Sequence, residues 1–211
     1  MTQHRFDARL KQHIAGNLAR FERRRIDDPA MRRAAVALVV VRGDKPDDAA
    51  LLLTKRPENL RRHGGQFALP GGRLDEGETE TAAALRELDE ELGLLLRPDA
   101  VIGYLDDYPT RSGFRITPVV VWADESTELR PDPEEVARVF SIPFADLESP
   151  EIPYLEASTA SDHPVLSAPL ASLGHRVYAP TAALLYQFRE VALRGASTRV
   201  AHFDQPRFAW S

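Results

Sequence analysis

Hydrophobic residues recur along the chain at two spacings, and these spacings predict its helices and strands. Between residues 6 and 21 the apolar positions lie three or four residues apart, as on one face of a helix: Phe6, Leu10, Ile14, Leu18 and Phe21. We expect this amphipathic helix to pack on the body of the protein, with a dimer contact as the alternative. A last helix is predicted from Thr181 to Leu193, with Thr181 as its cap. Its inward residues would be Leu184, Leu185, Phe188 and Val191.

Shorter apolar runs predict the strands. The continuous run from Ala34 to Val41 is typical of a fully buried strand, and turn-forming residues 42–48 separate it from a second strand at Ala50–Thr54. This pair is expected to form a hairpin. Three further strands are predicted at Val101–Leu105, Ile116–Trp122 and Arg138–Ile142. Residues 60–72 and 148–172 are predicted to be loops.

The chain shows neither an internal repeat nor a convincing linker, so we predict a single domain with an added helix. Residues 1–33 are assigned to an N-terminal helical extension, and residues 34–211 to the domain, including its C-terminal helix and tail. The arginines at 23–25 and 32–33 are expected to be solvated, with a phosphate-facing patch as the alternative. The aromatic tail at 202–210 would dock on the body or on a second subunit, which leaves a homodimer open.

Composition excludes several kinds of protein. The 211 residues contain no cysteine, which removes disulfides, Cys-ligated zinc, iron–sulfur clusters and a thiol nucleophile, and fits a reducing cytoplasm. The formal net charge of -5 argues against a nucleic-acid partner. The longest apolar run, 34–41, is far shorter than the roughly 20 residues that a membrane helix needs. The N-terminus also lacks the apolar segment of a signal peptide, so we expect a soluble cytoplasmic protein with a small-molecule substrate.

The strongest helical pattern runs from Glu78 to Leu92. One stripe of this helix is apolar and is expected to face the core: Leu85, Leu88 and Leu92. Gly93 follows directly and is suited to end the helix in the left-handed conformation.

A second stripe of the same helix carries Glu87, Glu90 and Glu91 at positions i, i+3 and i+4, where like charges repel. Residues 72–94 contain eight acidic residues and two arginines, so this segment carries all of the net negative charge and the rest of the chain is close to neutral. A solvated acidic face is the ordinary explanation of such a stripe. A hard divalent cation would instead turn the repulsion into binding, because Mg²⁺ and Mn²⁺ prefer carboxylate and carbonyl oxygens.

The residues before this helix favour the metal site. Pro70-Gly71-Gly72 is a turn in which a backbone carbonyl can approach an ion without hindrance from a side chain. Residues 72–94 as a whole read Gly72-x5-Glu78-x7-Arg86-Glu87-Leu88-x-Glu90-Glu91-x-Gly93-Leu94. This pattern resembles the Nudix box at all nine of its specified positions.

The resemblance implies a Nudix hydrolase, with an α/β fold in which a mixed β-sheet lies in an α/β/α sandwich. Such enzymes cleave a nucleoside diphosphate linked to another group, using Mg²⁺ or Mn²⁺ to activate water. Carried over by position, Glu87 and Glu91 would be the principal metal ligands, with the carbonyl of Gly72 close by. Glu90 would bind a second ion or act as the general base. Arg86 and Glu78 would pair and brace the loop against the helix.

A second resemblance points to the substrate. The segments Leu52–Arg56, Leu60–Gln66 and Leu69–Gly72 are similar to the signature of coenzyme A diphosphatases, although Pro57 replaces Ser or Ala and Leu69 replaces Phe. Many members of that subfamily also carry an extra residue in the box, which this chain lacks. Arginine forks suit phosphate oxygens, so at least one of three loop arginines is expected to bind substrate phosphates: Arg56, Arg61 and Arg62. Pairing of these arginines with nearby acids is the alternative.

The sequence is thus consistent with three functions. The first is hydrolysis of coenzyme A or its derivatives to 4′-phosphopantetheine, free or acylated, and adenosine 3′,5′-bisphosphate. The second is hydrolysis of another nucleoside diphosphate derivative, such as ADP-ribose, NADH or a dinucleotide, which the general box spacing allows. The third is a non-hydrolysing metabolite sensor, for which we would expect erosion of the glutamate set. Glu135, in a later loop, would either reach the metals or cap a turn.

Overall fold

A computed structural model describes residues 4–45, 47–59, 64–124, 128–158 and 161–206 of the chain. The helices and strands, in chain order, are α1 (Ala8–Arg20), β1 (Arg32–Arg42), β2 (Ala49–Lys55), β3 (Phe67–Ala68), β4 (Gly71–Arg73), α2 (Glu80–Leu92), β5 (Val101–Tyr104), β6 (Tyr108–Pro109), β7 (Phe114–Trp122), β8 (Arg138–Pro143), α3 (Phe144–Leu147), β9 (Tyr154–Glu156), β10 (Val165–Leu170), β11 (His175–Tyr178) and α4 (Thr181–Phe188). A π-helical turn, Arg189–Leu193, continues α4.

Strand β1 is the centre of a mixed sheet. It runs parallel to β7 over nine residue pairs, from Arg32 opposite Phe114 to Val40 opposite Trp122. On its other edge the C-terminal end of β1 pairs antiparallel with β2, as the predicted hairpin requires. Strand β8 then pairs along β2, while β5 and β6 pair with β7. The predicted combination of parallel and antiparallel strands is confirmed.

The sheet forks beside β1. Strand β3 pairs with the end of β2, and β4 pairs with the beginning of β1, so the segment 67–73 fills the space where these two strands separate. The Ala37 amide also donates a hydrogen bond to the carbonyl of Pro70, at 2.8 Å. The prediction of a loop up to residue 72 was therefore wrong for residues 67–68 and 71–72, which lie in short strands, whereas Leu69 and Pro70 form the connection between them.

Helices cover both faces of the sheet, because side chains alternate along each strand. Ala35, Ala37 and Val39 of β1 pack with the apolar stripe of α2 on one face. Leu38 and Val40 point to the other face, into a core shared with α1, α4 and the π-helical turn. This is the predicted α/β/α sandwich with its added N-terminal helix. None of the helices within the described ranges is long and apolar enough to cross a bilayer.

The N-terminal segment is joined to this second core. Helix α1 begins after Asp7, whose carboxylate accepts a hydrogen bond from the Leu10 amide at 2.9 Å, and Phe6 stacks on Trp122 with ring centroids 4.4 Å apart. Arg23 was expected to be solvated, but it lies nearly buried and donates to Asp107 at 2.7 Å. That carboxylate also accepts from the Ile26 amide, at 2.9 Å. The domain boundary at residue 33 stays a prediction.

Three predicted element boundaries need correction. Helix α2 begins at Glu80 rather than Glu78, because Thr79 caps it by accepting from the Ala82 amide at 3.2 Å. Residues 148–172 were predicted as a loop, yet β9 and β10 lie there and form a second sheet with β11. Thr181 does not cap the last helix: it is the first helical residue, and its hydroxyl donates to the Phe67 carbonyl at 3.4 Å.

Substitution of Gly71 tests whether the close packing of β4 against β1 stabilises the fold. A Cβ atom there would lie 2.6 Å from Cα of Val36 and even closer to the Ala35 carbonyl, and φ is +147°. We expect Gly71→Ala to destabilise the protein by about 3 kcal/mol, because backbone atoms cannot move aside cheaply. Thermal unfolding should show a fall in Tm of roughly 6–12 °C for a chain of this size.

Gly174→Ala is the matched control. Gly174 also has a positive φ, +62°, but a Cβ atom there would meet nothing within 4 Å. It should cost only the left-handed conformation itself, about 1–2 kcal/mol. Equal losses in the two variants would show that close approach at Gly71 does not constrain the fold.

Candidate active site

The three glutamates of α2 share one stripe but differ in burial. Packing of Leu85, Leu88 and Leu92 against the sheet fixes the rotation of the helix, and Gly93 ends it in the left-handed conformation with φ at +62°. As a result Glu91 is only 3% exposed, whereas the side chain of Glu87 is 14% exposed and that of Glu90 is 56% exposed. Exposure to solvent therefore increases along the stripe, from Glu91 in the interior through Glu87 to Glu90 at the surface.

Gly72 brings the fork against this stripe. A Cβ atom at residue 72 would lie 2.6 Å from Cδ of Glu87, and closer still to its Oε1 atom. Because Gly72 has no side chain, the Glu87 carboxylate can lie directly against the backbone of β4. The structure thus brings the predicted Gly72 and Glu87 together.

Arg86 ties the loop before α2 to the helix, as predicted. Its Nε atom lies 3.1 Å from Oε1 of Glu78, and its Nη2 atom donates to the Arg73 carbonyl at 3.0 Å. Glu78 in turn accepts from the Asp75 amide at 2.9 Å. The hydrogen bond from Arg86 is the main reason why the pKa of Glu78 is lowered.

Arg86 also contacts two of the three glutamates, and its i,i+4 spacing to Glu90 is a sequence signal for one of these contacts. Its Nη1 atom donates to Glu87 at 2.9 Å and to Glu90 at 2.7 Å, so one guanidinium bridges two of the three glutamates. Within the described ranges, no group of three or more His, Asp or Glu side chains is arranged to hold a metal ion by itself. The carboxylates are close to one another, but in this arrangement Arg86 compensates part of their charge.

Glu91 carries the clearest sign of a missing cation. Its Oε2 atom is buried and accepts no hydrogen bond from any described residue, while the Gly71 amide donates to the carboxylate. Burial, followed by the charges of Glu87 and Glu135, raises the pKa of Glu91 to about 8. Burial is also the main cause of the raised pKa of Glu87. A buried, orphaned oxygen among like charges fits a hard divalent cation.

Glu135 faces this site from a turn docked on the end of α2. The amides of Asp132 and Arg130 donate to the carbonyls of Glu91 and Leu92, at 3.0 and 2.7 Å, and the Glu135 amide donates to Asp132 at 3.1 Å. The negative charge of Glu135 contributes to the raised pKa of both Glu87 and Glu91. The sequence left two roles open for Glu135, reaching the metals or capping a turn. In the structure Glu135 lies in a turn, and its charge acts on Glu87 and Glu91.

A cleft of about 410 Å³ opens beside Gly71 and Gly72, on the face of the sheet opposite α2. Its wall is largely apolar and includes Phe67, Phe114 and Ile116. Arg56 lines the same cleft, and its charge opposes the rise in the pKa of Glu91. The cleft therefore adjoins the acidic stripe at Gly72, and the positive charge of Arg56 lies in the cleft near Glu91.

The predicted loop arginines can be followed only in part, because Arg61 and Arg62 lie outside the described residues. Arg56 forms no ion pair with any described residue, so the expected alternative of pairing with a nearby acid is not seen for it. Instead Lys55 pairs with Glu58 at 3.2 Å. Two backbone hydrogen bonds hold Arg56 at the end of β2. The Arg56 amide donates to the Gln66 carbonyl, and the Gly65 amide donates to the Arg56 carbonyl.

Other residues at the cleft were missed or left open by the sequence. Phe114, which follows the turn between β6 and β7, lies in the cleft wall. Gln205 of the C-terminal tail also lines the cleft. Nothing in the local sequence marks Gln205, because its position depends on contacts with residues almost a hundred positions earlier.

Fold and site together define an α/β/α protein with a stripe of glutamates on α2 beside a largely apolar cleft that Arg56 lines. The profile of the NUDIX domain matches residues 31–162, more than half of the chain. A protein of Photorhabdus laumondii named "Uncharacterized Nudix hydrolase NudL" is 32% identical over 172 residues, covering 81% of this chain and 82% of the relative. The chain therefore belongs to the Nudix hydrolase family.

Two further similarities are more limited. A NudL protein of Cronobacter sakazakii is 42% identical over 116 residues, but the aligned part covers only 59% of that relative and 54% of this chain. The crystal structure of a MutT/nudix family protein from Enterococcus faecalis superposes with a TM-score of 0.52 and 16% identity, covering 79% of this chain and 64% of that one. This structural likeness confirms the fold class.

The buried carboxylate of Glu91 predicts a pH-dependent stability. Because its pKa is raised from 4.5 to about 8, the folded protein favours the protonated form, and stability is lost as the pH rises between these values. In the presence of a chelator, Glu91→Gln should raise Tm by at least about 3 °C at pH 8, with little difference near pH 4.5. Differential scanning calorimetry across this range measures the effect.

Metal titration supplies the complementary result. Mg²⁺ or Mn²⁺ should raise the Tm of the unmodified protein at pH 8 and have a smaller effect on Glu91→Gln, because ligand binding to the folded state adds stability. A Tm difference that does not vary with pH would contradict the proposed burial of the Glu91 charge.

Proposed function

We propose that this protein is a Mg²⁺- or Mn²⁺-dependent diphosphatase that hydrolyses coenzyme A or its derivatives. The products would be 4′-phosphopantetheine, free or acylated, and adenosine 3′,5′-bisphosphate. The observation that carries the hydrolase is the contact of Gly71 and Gly72 with the buried glutamates of α2, at the edge of a cleft that also holds Arg56. The choice of coenzyme A rests on the signature at residues 52–72.

Glu87 and Glu91 are the proposed principal ligands of the cation, with the backbone of Gly72 close by. Glu91 is buried and Glu87 is half-buried against the fork, and Glu91 has the orphaned oxygen that a cation would satisfy. Once bound, a divalent cation would supply charge neutralisation for the diphosphate and a lower pKa for water. Arg86 holds the glutamate stripe and the loop before α2 in fixed relative positions, so we propose it as a positioning residue.

Glu90 has the exposure suited to its two proposed roles, a ligand of a second cation or the general base. Its side chain is 56% exposed, so it can reach a water molecule or an ion on the solvent side of the stripe. In the reaction, water adds to one phosphorus of the diphosphate, the bridging P–O bond breaks and both products end in phosphates. The proton lost by the water would pass to the base.

Arg56 is the proposed phosphate contact among the described residues. It lies in the cleft close enough to Glu91 to act on that residue's pKa, and it has no described acidic partner to release. A substrate diphosphate lying between the cations and Arg56 would have its charge balanced from both sides. Arg61 and Arg62 are proposed as further phosphate contacts on the basis of their positions in the sequence alone.

The cleft also supports a substrate with an extended part beyond the phosphates, because most of its wall is apolar rather than charged. The partner is thus a small molecule, and neither nucleic acid nor membrane is proposed. A cytoplasmic location is proposed from the cysteine-free sequence. A homodimer is retained as a proposal.

Glutamine substitutions test the metal ligands. We expect Glu87→Gln and Glu91→Gln each to lower kcat by at least about a hundredfold, because loss of a ligand removes transition-state stabilisation. Asp89→Asn is the matched control, since Asp89 is an exposed acid on the same helix. Steady-state kinetics, with thermal unfolding to check the fold, distinguish the variants. A near-normal rate for either glutamate variant would remove that residue from the site.

A substrate panel tests the reaction itself. The purified protein is incubated with Mg²⁺ or Mn²⁺ and with coenzyme A, acyl-coenzyme A, NADH, ADP-ribose or deoxynucleoside triphosphates, and the products are identified by mass. We expect the highest kcat/KM for a coenzyme A species. Preference for another compound would favour the second function, and tight binding without turnover would favour a sensor.

A further inference from the structure

One buried carboxylate outside the acidic stripe joins three segments around the substrate cleft. Asp204 lies in the C-terminal tail, and its side chain is only 1% exposed. It accepts hydrogen bonds from Arg111 at 3.0 Å, from the Gln205 amide at 2.8 Å, and from the hydroxyls of Ser158 and Ser161, both at 2.8 Å. These donors come from the turn between β6 and β7, from the tail, and from the loop between β9 and β10.

The four donors keep this carboxylate ionised. Burial alone would raise the pKa of Asp204, but the hydrogen bonds from Arg111, both serines and the Gln205 amide outweigh burial and hold the pKa well below its usual range. Removing the charge would break the ion pair between Asp204 and Arg111 and weaken all four contacts.

The tail on either side of Asp204 lies along β6. The Tyr108 hydroxyl donates to the Phe203 carbonyl at 2.8 Å, and the Gln205 amide group donates to the Pro109 carbonyl at 3.4 Å. Gln205 is itself 3% exposed and forms part of the cleft wall, next to Thr110 and Ser112 of the turn that Arg111 belongs to. The Asp204 contacts therefore fix both sides of this part of the cleft.

This wall lies away from the acidic stripe. Phe114, at the end of the turn, is opposite Arg32 at the start of β1, whereas Gly72 is opposite Ala35. Three residues of a strand separate these positions by roughly 10 Å. A diphosphate at Gly72 would consequently place another part of the substrate beside Gln205, Thr110 and Ser112.

We infer that Asp204 is a positioning residue that fixes the C-terminal tail as a wall of the cleft, and that this wall selects the substrate portion farthest from the diphosphate. The side chains offered there are two hydroxyls and a carboxamide beside Phe114 and Ile116. They suit a group that is uncharged and hydrogen-bonding, with an apolar surface. This inference rests on the proposed function, since it takes the cleft as the substrate site.

Asp204→Asn and Gln205→Ala test the inference in steady-state kinetics with the best substrate of the panel. We expect KM to rise by about fivefold or more in each variant, with kcat within about twofold, because the reacting end of the substrate is untouched. Gln205→Ala retains the Asp204 carboxylate, so it decides the matter if Asp204→Asn does not fold. Calorimetric titration with each of the two proposed products shows which half of the substrate meets the wall.

Asp106→Asn is the matched control. Asp106 is also a buried carboxylate, 3% exposed, which accepts from Arg199 at 2.6 Å, from Gln187 at 2.9 Å and from the Arg24 amide at 2.7 Å. It does not line the cleft, so its loss should lower Tm and leave KM unchanged. An unchanged KM in Gln205→Ala, or equal changes in Asp204→Asn and Asp106→Asn, would overturn the inference. Absence of any turnover by the unmodified protein would instead overturn the proposed function.

Discussion

The close contact of Gly71 and Gly72 with their neighbours on both sides is the constraint on which the site depends. Gly71 lies against the backbone of β1, and Gly72 lies against the carboxylate of Glu87. The fork between β1 and β2 leaves room for β4, which can lie against β1 because Gly71 has no side chain. A side chain at residue 72 would displace the Glu87 carboxylate from its place beside β4.

The negative charges at this contact favour binding of a cation but destabilise the folded protein. Burial and mutual repulsion raise the pKa of Glu91 and Glu87, and the charge of Glu135 adds to both effects. Arg86 offsets part of the repulsion by bridging Glu87 and Glu90, and Arg56 acts on Glu91 from the cleft. A metal-free protein of this kind stores unfavourable charge that a cation and a diphosphate can relieve, which links stability to binding.

The cleft is assembled from segments that are remote in sequence. Gly72 precedes α2, Phe114 begins β7, and Gln205 belongs to the tail, yet all three line the same cavity. The buried Asp106 and Asp107 join the N-terminal segment to the sheet, and Asp204 joins the tail to it. Single buried carboxylates with several donors thus hold the chain ends in place where apolar packing alone would leave their positions less defined.

Local patterns determined much of this protein. The apolar stripe of Leu85 and Leu88, the helix end at Gly93 and the buried strand at residues 34–41 depend on residues close together in the chain, so the sequence predicted them. The family and its glutamate set followed from residues 72–94. Only the tertiary structure decided the approach of Glu135 to the stripe and the second sheet, whose short strand β10 contains Pro169. These features depend on long-range contacts, since a side chain's partner is chosen by what folding brings within reach, and spacing along the chain does not encode it.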